Sequence, residues 1–120
     1  GIPQATNEPE VTDVFTPLSV EELQSRMAEG WNPYVLDVRK PHEAEIVRLD
    51  FADRLHPHER VLELVDELPR DRDIVVQCKS GGRSATAARA LAEAGFTRLF
   101  NLEGGITAWA QRIDTSLPTY

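Results

Sequence analysis

The one cysteine of the chain, Cys78, opens the stretch Cys78-Lys79-Ser80-Gly81-Gly82-Arg83-Ser84. The β-branched run Ile74-Val75-Val76 leads into it, and a small-residue helical pattern from Ala85 through Ala94 leads out. Strand, glycine-rich turn and helix start, in that order, aim several backbone N–H groups at one point, and the helix N-terminus adds partial positive charge there. A cysteine at the mouth of such a turn is held as thiolate, the nucleophilic form. The bland alternative is a buried structural thiol, a common role for a free cysteine. The loop that follows Cys78 favours the reactive reading.

The flanking elements must place this loop. Ser19 and Glu22 have the spacing of a capping box, and Val20, Leu23 and Met27 give the helix they open an apolar face that runs to Gly30. Tyr34-Val35-Leu36-Asp37-Val38 reads as a buried strand ending on Asp37-Val38-Arg39. Pro41 to Arg48 is a short irregular or helical segment, and Leu49 to His58 carries no readable period. A helix is expected after Pro57, with Val61, Leu62, Leu64, Val65 and Leu68 as its apolar face and Pro69 as its stop. Ile74-Val75-Val76-Gln77 is apolar enough for a central strand of a parallel sheet. A strand at Arg98-Leu99-Phe100 and a helix from Ile106 to about Ile113, with Trp109 on its buried side, complete the alternation. Val14-Phe15-Thr16 is a candidate edge strand. Strands alternating with helices argue an α/β domain with a parallel sheet and helices on both faces. Ligands of such sheets bind beyond the carboxyl ends of the strands, where both Cys78 and Asp37-Val38-Arg39 fall.

The chain has 120 residues, enough for one core and too few for two. Residues 1–13, without periodicity, read as a linker or disordered arm, and 14–120 as the folded domain. A net charge of −7 argues against nucleic acid as partner. No apolar run approaches the roughly 20 residues of a membrane helix. A single cysteine makes no intrachain disulfide, so cytoplasmic residence is expected. A start at Gly1 without Met reads as a processed product or an excised piece. His56 and His58 flank a proline two residues apart, which is not a metal-ligand spacing, so they read with His42 as surface histidines and no metal is expected.

Taken together, Asp37-Val38-Arg39, the Cys78–Ser84 loop, Gly95-Phe96 and Asn101-Leu102-Glu103-Gly104-Gly105-Ile106-Thr107-Ala108-Trp109 resemble the rhodanese family of sulfurtransferases. The resemblance implies a three-layer domain, a central mostly parallel sheet with helices on both faces. It also implies that Cys78 takes sulfane sulfur from a donor and carries it as a persulfide to a second nucleophile, without cofactor. In that reading the loop residues Lys79, Ser80, Gly81, Gly82, Arg83 and Ser84 bind the anionic sulfur and its donor. Gly81 and Gly82 fold tightly around it, Ser80 and Ser84 donate hydroxyl groups, and Arg83 clamps the loop with Asp37 as its support. Lys79 and Arg39 give the mouth positive charge for anionic donors such as thiosulfate. Phosphatases and arsenate reductases of the same fold place five residues between cysteine and arginine. Here four intervene, Lys79 to Gly82, which favours sulfur transfer. A non-catalytic interaction module of the same fold is the other alternative.

The loop and the ending Leu117-Pro118-Thr119-Tyr120 further resemble the C-terminal domain of proteins that fuse a rhodanese domain to an adenylyltransferase. Gly1-Ile2-Pro3-Gln4 resembles the junction. That likeness implies an adenylyltransferase domain on the same natural chain, a ubiquitin-fold sulfur-carrier protein as acceptor, and a cysteine desulfurase as an alternative donor. Thiocarboxylate products of this kind feed pathways such as molybdopterin or thiamin synthesis. The chain departs from the family pattern at Ile46 to Ala52, where two glycines and a histidine are lacking, so the path of residues 49–58 is left open.

Overall fold

Strand and helix alternate through the structure, a computed structural model that describes residues 14–120. The arm expected over 1–13 lies outside those residues. The elements are β1 (Thr16–Leu18), α1 (Val20–Ala28), β2 (Tyr34–Asp37), α2 (Pro41–Ile46), β3 (Arg54–Leu55), a 3₁₀ helix (His58–Leu64), β4 (Ile74–Gln77), α3 (Gly82–Glu93), β5 (Leu99–Leu102) and α4 (Gly105–Arg112). The sheet runs β1-β5-β4-β2-β3 with every pairing parallel. β4 lies at its centre, as its four buried residues require: a strand covered on both faces has no polar side to show.

Each face buries its own core. Leu36, Val38, Ile74 and Val76 meet Val61 and Leu64 of the 3₁₀ helix and Ala87, Ala88 and Leu91 of α3. The small alanines let α3 lie close to the sheet. On the other face Val35 and Val75 meet Val20 and Leu23 of α1 and Ile106, Ala108 and Trp109 of α4. Ser19 Oγ accepts the Glu22 N–H at 3.0 Å and caps α1 as its spacing predicts. Among the described residues no helix is long and apolar enough to cross a membrane.

Two expectations need correction: the edge strand is Thr16–Leu18 rather than Val14-Phe15-Thr16, and Leu62 lies outside the core. The helix expected after Pro57 is present as a 3₁₀ helix kinked at Arg60. Three residues per turn put Val61 and Leu64 on one face and leave Leu62 exposed, although it was expected in the core. Residues 49–58 contain a strand that local pattern did not reveal. Arg54 and Leu55 pair with Leu36 and Asp37 as the sheet edge. Leu49 is buried in the same core cluster as Trp109, and the Phe51 ring lies tilted against that of Trp109 at 5.1 Å between centroids.

Candidate active site

β4 ends at Gln77 and α3 begins at Gly82, so the loop between them hangs on the carboxyl end of the central strand. Cys78 Sγ accepts the N–H of Gly81 at 3.1 Å and that of Ser84 at 3.4 Å, and lies 3.4 Å from Ser84 Oγ. Gly81 reaches this position with φ at +107°, the left-handed region that a side chain disfavours. Burial pushes the Cys78 thiol up, but the hydrogen bonds it receives in the loop, from the N–H groups of Ser84 and Gly81, outweigh it, and the thiol lies below its ordinary value. The arrangement stabilises a negative charge on sulfur in a residue only 1% exposed.

A polar chain backs the sulfur through neutral side chains and ends on a carboxylate. Ser84 Oγ donates to Asn101 Oδ1, and Asn101 Nδ2 donates to Gly81 O at 3.2 Å and Glu103 Oε2 at 2.9 Å. The start of the loop is fixed by α4, whose first-turn N–H groups would otherwise lack partners. Ile106 N donates to Cys78 O at 2.9 Å and Thr107 N to Lys79 O at 3.0 Å. Gly105 permits this approach: with φ at +57°, any Cβ there would collide with the carbonyl oxygens of Cys78 and Lys79.

The outer side of the loop is charged. Arg83 forms a two-pronged pair with Glu43, NH1 to Oε1 at 2.7 Å and NH2 to Oε2 at 2.8 Å. Glu43 also accepts from Lys40 N at 3.0 Å and from the Tyr120 hydroxyl at 2.8 Å. The Arg83 hydrogen bonds hold its carboxyl well below the usual carboxylate range despite burial. Arg39 and Asp37 form a separate buried pair, NH2 to Oδ2 at 2.7 Å and Nε to Oδ1 at 3.0 Å. The remaining Arg39 donors go to Val47 O, Glu43 O and Tyr120 Oη, so all five N–H groups of the guanidinium find acceptors.

Three sequence-predicted roles are revised by this geometry. Arg39 is 0% exposed and turned into the protein, so it lends no charge to the mouth. Asp37 is not the partner of Arg83; its carboxylate is taken by Arg39, and Glu43 holds Arg83 instead. Gly82 has helical backbone and open space where a Cβ would lie, so it is not folded around the sulfur as Gly81 is. Lys79 is half-buried and Ser80 is exposed. His56 contacts Glu63 and His58 lies beside Glu59, both away from Cys78 in their contacts. Sequence reasoning passed over the roles of Glu43, Asn101, Gly105 and Tyr120. Asn101 carried a signal, a polar residue in the otherwise apolar Leu99-Phe100-Asn101-Leu102, at a carboxyl strand end.

Comparison with known proteins bears on this arrangement. Residues 19–112 match the family described as Rhodanese-like domain. A sulfurtransferase of Allochromatium vinosum is 39% identical over 92 residues, 76% of this chain and 84% of that protein. The probable adenylyltransferase/sulfurtransferase MoeZ of Mycobacterium tuberculosis is 37% identical over 86% of this chain, which spans only 26% of that protein's length. The crystal structure of a rhodanese-related protein from Thermoplasma volcanium superposes with a TM-score of 0.72 at 27% identity, over 82% of this chain and 94% of that one. The chain therefore belongs to the rhodanese-like domain family and is a sulfurtransferase of the rhodanese type.

Proposed function

We propose that Cys78 carries sulfur as a persulfide. With thiosulfate, the thiolate attacks the outer sulfur, the bond from that sulfur to the sulfonate breaks, and sulfite leaves with the electron pair. The product is a Cys78 persulfide anion. The observation that supports this most is the pair of N–H groups, from Gly81 and Ser84, converging on Sγ in a loop with only four residues between Cys78 and Arg83. A donor cradle of that size suits one anionic sulfur.

The acceptor in this reading is the adenylated C-terminus of a ubiquitin-fold sulfur-carrier protein. The terminal persulfide sulfur attacks the acyl carbon and AMP leaves; an external thiol then attacks Cys78 Sγ, the thiocarboxylate leaves with the electron pair, and a second external thiol reduces the resulting mixed disulfide and returns Cys78 to the thiolate. The likeness to MoeZ supports that choice, and an adenylyltransferase domain on the same natural chain belongs to it. A cysteine desulfurase relay replaces thiosulfate without changing the chemistry at Cys78.

Intact mass after incubation with thiosulfate, without reductant, tests the first step. A gain of about 32 Da, removed by cyanide and absent in Cys78→Ala, is expected. No adduct from either donor would leave the loop to binding rather than chemistry. Hydrolysis of an aryl phosphate at an enzymatic rate would point to a phosphatase instead. Adding an adenylated carrier to the loaded domain then tests the acceptor; a persulfide that cyanide discharges but the carrier does not would overturn it.

A further inference from the structure

The positive charges around the loop are not equivalent. Arg83 is neutralised by Glu43 and Arg39 by Asp37. Among the described residues Lys79, next to Cys78, pairs with no carboxylate. Its ammonium instead lies 4.6 Å from the centroid of the Tyr120 ring, within cation–π reach. The same tyrosine uses its hydroxyl twice: it accepts from Arg39 NH1 at 2.9 Å and donates to Glu43 Oε2 at 2.8 Å.

The chain beyond α4 is built to bring Tyr120 there. Asp114 N donates to Trp109 O at 2.9 Å, and Asp114 Oδ1 accepts from Ser116 N at 3.1 Å and Ser116 Oγ at 2.6 Å, which turns the backbone. Leu117 packs onto the core of the α1–α4 face, and Tyr120 reaches back to the end of β2. Tyr120 is 36% exposed, so burial of apolar area alone does not hold it. Both its polar contacts are with groups tied to the loop.

We propose that Tyr120 is a specificity-determining positioning residue, whose hydroxyl is fixed by Arg39 and Glu43 so that its ring holds the Lys79 ammonium at the mouth of the Cys78 loop and selects anionic sulfur donors. This rests on the reading of Cys78 as the sulfur-accepting thiolate. Two cations are already neutralised, so the attraction for a dianion such as thiosulfate depends on the third. A flexible lysine in solvent supplies a diffuse field; one held on a ring supplies a directed one.

The test compares wild type with Tyr120→Ala, Tyr120→Phe, Lys79→Ala and the double variant Lys79→Ala/Tyr120→Ala. One readout needs no sulfur transfer. Cys78 is the only thiol, so the ratio of its alkylation rates by anionic iodoacetate and neutral iodoacetamide reports the field at the mouth. Tyr120→Ala is expected to lower that ratio about two- to fivefold, the size of one cation–π contact. Tyr120→Phe, which keeps the ring but removes the hydroxyl that fixes it, falls between wild type and Tyr120→Ala, and the double variant is no worse than Lys79→Ala alone. With thiosulfate the same variants raise KM by a similar factor and leave kcat within about twofold. An unchanged ratio in Tyr120→Ala, multiplying effects in the double variant, or a Tyr120→Phe ratio equal to that of wild type would each overturn the proposal. Failure of wild type to form a persulfide would count against the Cys78 reading alone, because the alkylation ratio is still decided.

Discussion

The two flanks of the Cys78 loop are held by different physics. On the inner flank Gly105, Asn101 and Ser84 contribute neutral groups, short contacts and backbone carbonyls, and little solvent reaches them. On the outer flank Arg83, Glu43, Arg39 and Tyr120 form a charged chain that runs to the surface. The inner flank fixes where the sulfur sits and which donors meet it. The outer flank orients the end of the loop and sets the charge an arriving donor meets. Steric contact changes abruptly with a single methyl group, whereas an ion pair at partial exposure changes by degrees. The inner flank should therefore fail all at once and the outer one gradually.

The largest effect is expected from breaking the inner flank at Gly105. An alanine there meets two carbonyl oxygens and adopts left-handed backbone, a conformation costing a residue with a Cβ about 1–2 kcal/mol by itself. With the collision included, Gly105→Ala should lose at least about 3 kcal/mol, a fall of roughly 10 °C in thermal midpoint, and load no sulfur. Calorimetry with the mass assay measures both. A stable Gly105→Ala that still loads sulfur would show that α4 is not the anchor of the loop.

Glu43→Gln attacks the outer flank and should have an intermediate effect. It removes the carboxylate charge opposite Arg83, whose side chain is 29% exposed, so the loss lies below that of a fully buried pair, about 1–3 kcal/mol. Sulfur loading should slow about tenfold with the fold retained, since a misplaced loop end loses orientation rather than the nucleophile. The pH dependence separates this from a mere packing change. The Glu43 carboxyl titrates below its unfolded value of about 4.3, so its stabilisation is complete above that pH and is lost as pH falls through and beyond it. Stability of Glu43→Gln should thus fall less steeply in acid than that of wild type. Parallel acid limbs in the two proteins would remove the outer flank from the account.

The loop itself was more legible in sequence than either flank, since the roles of Asn101 and Gly105 on the inner side were missed along with those of Glu43 and Tyr120 on the outer. Its chemistry is local: an apolar strand, a cysteine, a glycine turn and a helix start lie within one stretch of chain, and alternation of strand and helix then places that stretch at a carboxyl rim. The outer flank joins residues distant in sequence. Arg83 and Glu43 are forty positions apart, and Tyr120 lies seventy-seven beyond Glu43. Nothing at Asp37 or Glu43 alone says which carboxylate meets which arginine. One clue did exist: Asp37 and Arg39, two apart at a strand end, share a face, which favours their own pairing over one between Asp37 and Arg83. The strand at Arg54-Leu55 was hidden for the same reason, since two residues show no period and their pairing with β2 defines them. Leu62 was misplaced because a 3₁₀ helix turns by three residues, and the apolar pattern was read at 3.6.

The smallest effect sharpens the contrast between the flanks, because it falls on the neighbour of the most strained residue in the loop. Gly81 and Gly82 look alike in sequence, yet Gly81 lies at φ +107° against the inner flank while Gly82 is exposed at the first position of α3. Nothing lies within 4 Å of where a Gly82 Cβ would stand. Alanine there restricts the unfolded chain without straining the folded one, which stabilises by about 0.4–1 kcal/mol. Gly82→Ala should therefore raise the thermal midpoint by roughly 2–4 °C. Its rate of sulfur loading should stay close to that of wild type, within about twofold, an effect smaller than one charge-assisted contact. Gly81→Ala, measured beside it, should shift both quantities the other way. If Gly82→Ala instead lost stability and loading as Gly81→Ala does, the outward side of the loop would be as sterically confined as the inward one. The division of labour between contact on one flank and charge on the other would then fail.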